Sequence, residues 1–325
     1  MRIIIIILLS VCFIRGDAEL SVAKPVNQNL DESPAGLNES KEPETVNIDG
    51  NVGLQVIEGS SSSANTNTTC DSDIIWHADF ETGDFSQWRE WHKGWNSGDW
   101  AMATATSPVH SGSYSGKLTI DTSKVKSAVR LPVRRVHGLT ELLPDEAYMS
   151  VWYYFTENLD SRSWWNIWDW KTGFFKDYPT NKRGTSKPVY SIYLKNDGQG
   201  HYYFQMGDKI GPDCIYKNSG YGTIAKSPIK FDPNTWVHLE CFYRWSNQSD
   251  GQITCWQNGV QIWDVEDVYT MHCFEPDEYS RLYKQWKINH YSSNLVPDSI
   301  SIYIDDAAVS IPRLGPTCST TDRMK

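Results

Sequence analysis

Residues 236–265 read "WVHLECFYRWSNQSDGQITCWQNGVQIWDV", and the way this stretch alternates decides the fold. In an extended chain Val237, Leu239 and Cys241 share one side, while His238, Glu240 and Arg244 share the other. A period of two marks a strand with one face against a core. Residues 246–251 and the pair Asn258 and Gly259 are turn chemistry, so strands over 235–245 and 252–259 form a hairpin. Cys241 and Cys255 flank its turn symmetrically and come face to face. A disulfide closing a loop of that length stabilises by about 3 kcal/mol.

The same aromatic and β-branched pattern recurs outward, at 148–156, 164–172, 189–196, 201–207 and 299–310. Only 276–285, "PDEYSRLYKQ", reads as a short helix, and no internal repeat is present. The expectation is an all-β domain over 70–318, of a size for one sandwich of two antiparallel sheets.

Residues 1–18 have a basic second position, an apolar run and small residues near Ala18, the pattern of a cleaved signal peptide. That run is too short to span a bilayer. Residues 19–69 hold no aromatic side chain, carry eight acidic against two basic groups and end in Ser, Thr and Asn. They are expected to be a disordered linker, and 319–325 a tail. A secreted, extracellular chain follows.

Secretion puts Cys70, Cys214, Cys241, Cys255, Cys273 and Cys318 in an oxidising compartment, where disulfides are their expected use. Cys70 with Cys318 would join the ends of the domain, leaving Cys214 with Cys273, but connectivity is not readable from spacing. Asn38, Asn67 and Asn247 each open a glycosylation sequon. A net charge of -10 excludes the basic footprint of a nucleic-acid binder. It leaves room for a local basic groove holding an acidic polymer. Neither nucleic acid nor membrane is an expected partner, and the chain reads as a monomer.

"ADFETGDFSQW" (78–88), "SPVHSGSYSGKLTID" (107–121), "WWNIWDWKT" (164–172), the opening stretch and "IYIDDAAVS" (302–310) occur in an order that resembles the polysaccharide lyases typified by heparin lyase I. The resemblance implies a concanavalin A-like β-jelly roll with a sugar chain lying across one sheet. It also implies β-elimination from a uronic-acid-containing polysaccharide, with no catalytic cofactor. Similar enzymes end their catalytic face with Lys-x-x-x-Tyr, and here Lys287-Ile-Asn-His-Tyr291 matches. Where they have glutamine and then lysine or histidine, this chain has Asp169 and Lys171.

Alternation puts Lys287, Asn289 and Tyr291 on one face and Trp286, Ile288 and His290 on the other. The first row is either a line of sugar subsites or a solvated strand face. Tyr291 is the catalytic candidate, since a neighbouring ammonium lowers a phenol's pKa; Lys287 and a histidine, His201 or His238, would assist it. By the same period Trp165, Asp169 and Lys171 share a binding face, and Tyr203 and Gln205 form another with Tyr190 nearby. Arg244 lies on the His238 face, which turns either to the groove or to the back. Glu81, Asp84, Asp305 and Asp306, on the first and last strands, suit a structural calcium ion or turn amides. Trp88, Trp91, Trp95 and Trp100 suit a groove rim. A non-catalytic carbohydrate-binding protein is the rival reading, and a glycoside hydrolase the third.

Overall fold

The hairpin of the opening stretch forms in register, with Cys241 directly opposite Cys255 and their sulfurs bonded. Asn258 and Gly259 both take positive φ (49° and 83°), the backbone of a two-residue hairpin turn whose twist matches its flanking strands. Gln257 and Val260 pair across it. The computed structural model describes residues 74–88, 92–93, 98–136, 141–157, 159–177, 182–210, 222–273 and 282–318. All of these lie in the unit Asn65–Lys325. The signal peptide, linker and tail, together with Cys70, Cys214, Asn38, Asn67, Trp91 and Trp95, fall outside the described residues.

Among the described residues the fold is all-β, with antiparallel pairing throughout two main sheets. The first runs in spatial order Val260–Val268, Gly251–Gln257, Trp236–Arg244, Glu146–Phe155, Ser299–Ser310, Ser115–Asp121 and Trp100–Ala105. Ile74–Ala78 also pairs with Ser299–Ser310. The second runs Gly222–Lys226, Tyr202–Asp208, Lys182–Asn196, Trp165–Asp177, Leu282–Ser292, Ser127–Val133 and His92–Lys93. The helix expected over 276–285 is corrected where the chain is described: residues 282–285 begin a strand, sharing its alternation.

The two sheets bury their inner faces against each other, and eight of the fifteen tryptophans are in that core. Trp76, Trp88, Trp168 and Trp286 meet at ring separations of 4.6–6.4 Å, edge-on or tilted. Such geometry suits the ring quadrupoles. Trp88 is therefore core rather than groove rim. Trp170 stacks on Tyr243 of the opposite sheet at 4.6 Å.

Polar ties also cross the core. The Tyr153 hydroxyl donates to the Ile167 carbonyl at 2.9 Å. His290 accepts from the Trp165 indole at Nδ1 (3.0 Å), so its proton sits on Nε2 and is given to the Ile300 carbonyl, also at 3.0 Å. Burial lowers the His290 pKa to about 4. In the unfolded chain the ring takes up a proton near pH 6.5. The native state is therefore favoured fully above that pH and loses the advantage as pH falls toward 4. The loss is roughly 3 kcal/mol at 1.36 kcal/mol per unit. We expect His290→Gln to unfold at lower denaturant at neutral pH, with a shallower loss of stability between pH 6.5 and 4 than the native chain. Urea titrations across that range measure both, and parallel pH profiles would contradict the assignment.

Candidate active site

The Trp165–Asp177 strand lies mid-sheet, between Lys182–Asn196 and Leu282–Ser292. Its pairing slips between Asn166 and Trp168 against both neighbours. Such an irregularity reverses the phase of side-chain alternation. Trp165, Ile167, Trp168 and Trp170 consequently all enter the core. Asn166, Asp169 and Lys171 instead line a cavity of about 630 Å³. Trp165 is thus corrected from binding residue to core residue, and Asn166 takes the groove position.

Lys287 and Tyr291 line the same cavity from the Leu282–Ser292 strand. Asn289 is fully buried beneath and donates to the Asn166 side chain. Arg130 reaches in from Ser127–Val133, its guanidinium 4.7 Å from the Tyr291 ring centre. Trp164 packs edge-on against that ring at 4.4 Å. Gln205, Tyr193, Lys195 and Lys209 complete the far side. Tyr203 sits two residues from Gln205, opposite Lys195 and outside the lining.

Charge dominates this cavity. Arg130, Lys171, Lys195, Lys209 and Lys287 face one carboxylate, Asp169. Asp169 is buried, pairs with Lys287 at 2.5 Å and accepts from Asn166 Nδ2 (2.8 Å) and Ser191 Oγ (2.6 Å). Burial pushes its carboxyl upward, but the Lys287 and Lys171 charges and these bonds outweigh it, leaving Asp169 well below the usual carboxylate range. Burial drives Lys287 well below an ordinary lysine, against the pull of Asp169 and with the help of Lys171 and Arg130. Lys171 is lowered in the same way, burial first. The Tyr291 phenol is raised, because burial exceeds the opposing effect of Arg130. An ammonium lowering Tyr291 was the expectation; the nearby cation is a guanidinium, and burial wins.

Several other expected residues lie elsewhere. His238 is on the outer face of the first sheet, 5.0 Å from the Trp152 ring, with burial lowering its pKa to about 3. Arg244 shares that sheet and pairs with Glu146 at 2.7 Å. Alternation was right for both, but their sheet is the one without the groove. His201 sits at a strand end, held by Asp197 (3.2 Å) and Asp232 (3.5 Å), outside the cavity lining. Tyr190 packs in the core near Tyr243, because Val189 and Tyr190 both turn inward where the strand register shifts.

The expected calcium ligands do not converge. Glu81 accepts the Ser113 and Tyr114 amides (2.8 and 2.9 Å), and Asp84 bonds Thr82 and Ser86 within its own turn. Asp305 accepts the His110 amide at 3.0 Å and Asp306 bonds the His110 ring at 2.7 Å. Each carboxylate secures a loop, and among the described residues no three His, Cys, Asp or Glu side chains assemble a cation site. Cys273 and Cys318 are each disulfide-bonded. Asn247 is partly exposed in the 246–251 turn.

Arg130, Asn166, Ser191, Tyr193, Lys195 and Lys209 were not singled out by sequence. Arg130 had a readable signal: it is the one charge in "SAVRLPV", at an outward position of an otherwise apolar strand. Asn166 had none, since only the pairing slip turns it outward.

An endo-β-1,4-glucuronan lyase from the fungus Trichoderma reesei shares this fold, with a TM-score of 0.55 at 11% identity over 74% of this chain and 97% of that one. A double mutant of the alginate lyase Aly36B in complex with alginate trisaccharide is 14% identical, with a TM-score of 0.48 over 74% and 99% of the two chains. The marine PL-14 alginate lyase from Aplysia kurodai is 16% identical, with a TM-score of 0.47 over 74% and 99%. No curated protein matches by sequence. The polysaccharide lyase family model matches residues 80–308, which contain the whole cavity lining, and the chain belongs to that family.

Proposed function

We propose that this chain is a secreted, monomeric enzyme that cleaves a uronic-acid-containing polysaccharide by β-elimination. The observation that carries the reading is the cavity itself: four cationic side chains and the Lys287 amine around one carboxylate, with a protonated phenol among them. A chain of negative uronates is the ligand such a field attracts. The finer likeness, to heparin lyase I, rests on the quoted motifs. Glycosaminoglycans therefore belong in the assay beside glucuronan and alginate.

In this reading Arg130 and Lys171 meet the substrate carboxylate and disperse the charge that develops when its C5–H bond breaks. Lys287, whose burial favours the free amine, takes that proton. The C–H electron pair becomes the new carbon–carbon double bond as the glycosidic C–O bond breaks. Tyr291, kept protonated by its raised pKa, gives its proton to the departing oxygen. Trp164, packed beside Tyr291, offers a ring for the neighbouring sugar.

Purified protein incubated with each uronate polymer is expected to generate ultraviolet absorbance from the conjugated double bond. Tyr291→Phe should lower that rate by about 100-fold or more, the scale of a lost general acid. Retention of activity within a few-fold would remove Tyr291 from this role. Arg130→Leu should lower kcat/KM by at least roughly tenfold, the scale of a lost charge-assisted contact. Binding to every polymer without absorbance would favour the non-catalytic reading, and new reducing ends without absorbance would favour hydrolysis.

A further inference from the structure

We infer that Asp169 is a positioning residue acting through Lys287: it aims the amine at the substrate and supplies the charge against which Lys287 becomes an ammonium. This rests on the elimination reading above. It assigns a role to the side chain that least suits an acidic-polymer site.

Asp169 is not built to touch a uronate. Its oxygens already accept from Lys287, Asn166 and Ser191, on three adjacent strands. An ionised carboxylate would also repel the substrate's own. What it does reach is Lys287 Nζ, at 2.5 Å. A base held by a third group that does not itself react is the arrangement that orients other catalytic bases.

The neighbours of Lys287 make the charge argument specific. Lys171 acts on it from the Asp169 strand, Arg130 from Ser127–Val133, and Tyr291 shares its own strand. Lys182–Asn196 contributes Lys195 to the lining and Ser191, uncharged, to Asp169. Lys171 and Arg130 both oppose a proton on Lys287, and Asp169 is the one carboxylate among the described lining residues. When the amine takes the C5 proton a new N–H bond forms, and the C–H electrons pass into the double bond. The positive charge then created lies against Asp169. Without that carboxylate, Lys287 becomes a weaker base among like charges.

The test is Asp169→Asn, with folding checked by circular dichroism. In protein carrying 13Cε-lysine, the Lys287 signal, assigned through Lys287→Arg, is expected to titrate at least one pH unit lower in the variant. The limb of the kcat profile belonging to Lys287 should move to lower pH in step. We expect kcat to fall at least tenfold while KM stays within about threefold, and Asp169→Glu to restore part of the rate. Should the Asn variant not fold, Asp169→Glu, which keeps the charge but displaces it, should move Lys287 in the same direction by less. An unmoved or raised Lys287 titration overturns the inference, as does a risen KM with kcat unchanged, which would make Asp169 a substrate contact. Wild-type protein that forms no unsaturated product from any uronate polymer overturns the functional reading itself. An active wild type whose Lys287 is indifferent to residue 169 overturns this inference alone.

Discussion

One slipped pairing, between Asn166 and Trp168, organises the groove. A regular strand would present Trp165 and Ile167 on the same side as Asp169 and Lys171. The slip lets four large apolar side chains of one short segment face inward. Apolar burial there stabilises the sandwich, at about 25 cal/mol per Å². The same step turns Asn166 toward Asp169 and leaves the polar side chains of the segment together on the other side. Core packing and site assembly are thus two outcomes of a single irregularity, and a residue inserted or deleted there would disturb both.

The charges collected on that side would not remain together unaided. Lys171, Lys287 and Arg130 repel one another, and burial removes much of the water that would soften the repulsion. Asp169 offsets part of this, and the buried Asn166, Asn289 and Ser191 hold it in place. Burial lowers both lysines' pKa values and repulsion adds to it, yet the cations of the lining still outnumber its one carboxylate. An acidic polymer is the partner that would relieve that excess. On the first sheet, by contrast, Arg244 pairs with Glu146 and Glu240 with Arg313.

Much of the fold was legible because alternation is a local property. The 236–257 hairpin, its disulfide and the row of Lys287, Asn289 and Tyr291 all follow from counting by twos. The candidate site was legible only in part, for three physical reasons. Trp165 and Tyr190 sit beside register shifts, which no propensity encodes. His238 and Arg244 do leave the core, but which sheet carries the groove depends on the whole topology. His201 belongs to a strand end, where Asp197 faces one ring nitrogen and Asp232 the other. Arg130 was within reach of the same counting, on a strand whose other residues are apolar or small.

Five consecutive strands each set a polar or charged side chain on the cavity, through Gln205, Lys195, Asp169, Lys287 and Arg130. Adjacent strands stand about 4.8 Å apart, so these five lay out a rule of roughly 19 Å with one polar mark per division. A polymer lying across the strands is measured in steps set by backbone hydrogen bonding rather than by side-chain length. For the substrate proposed above, that width corresponds to a few sugar units, and more than one.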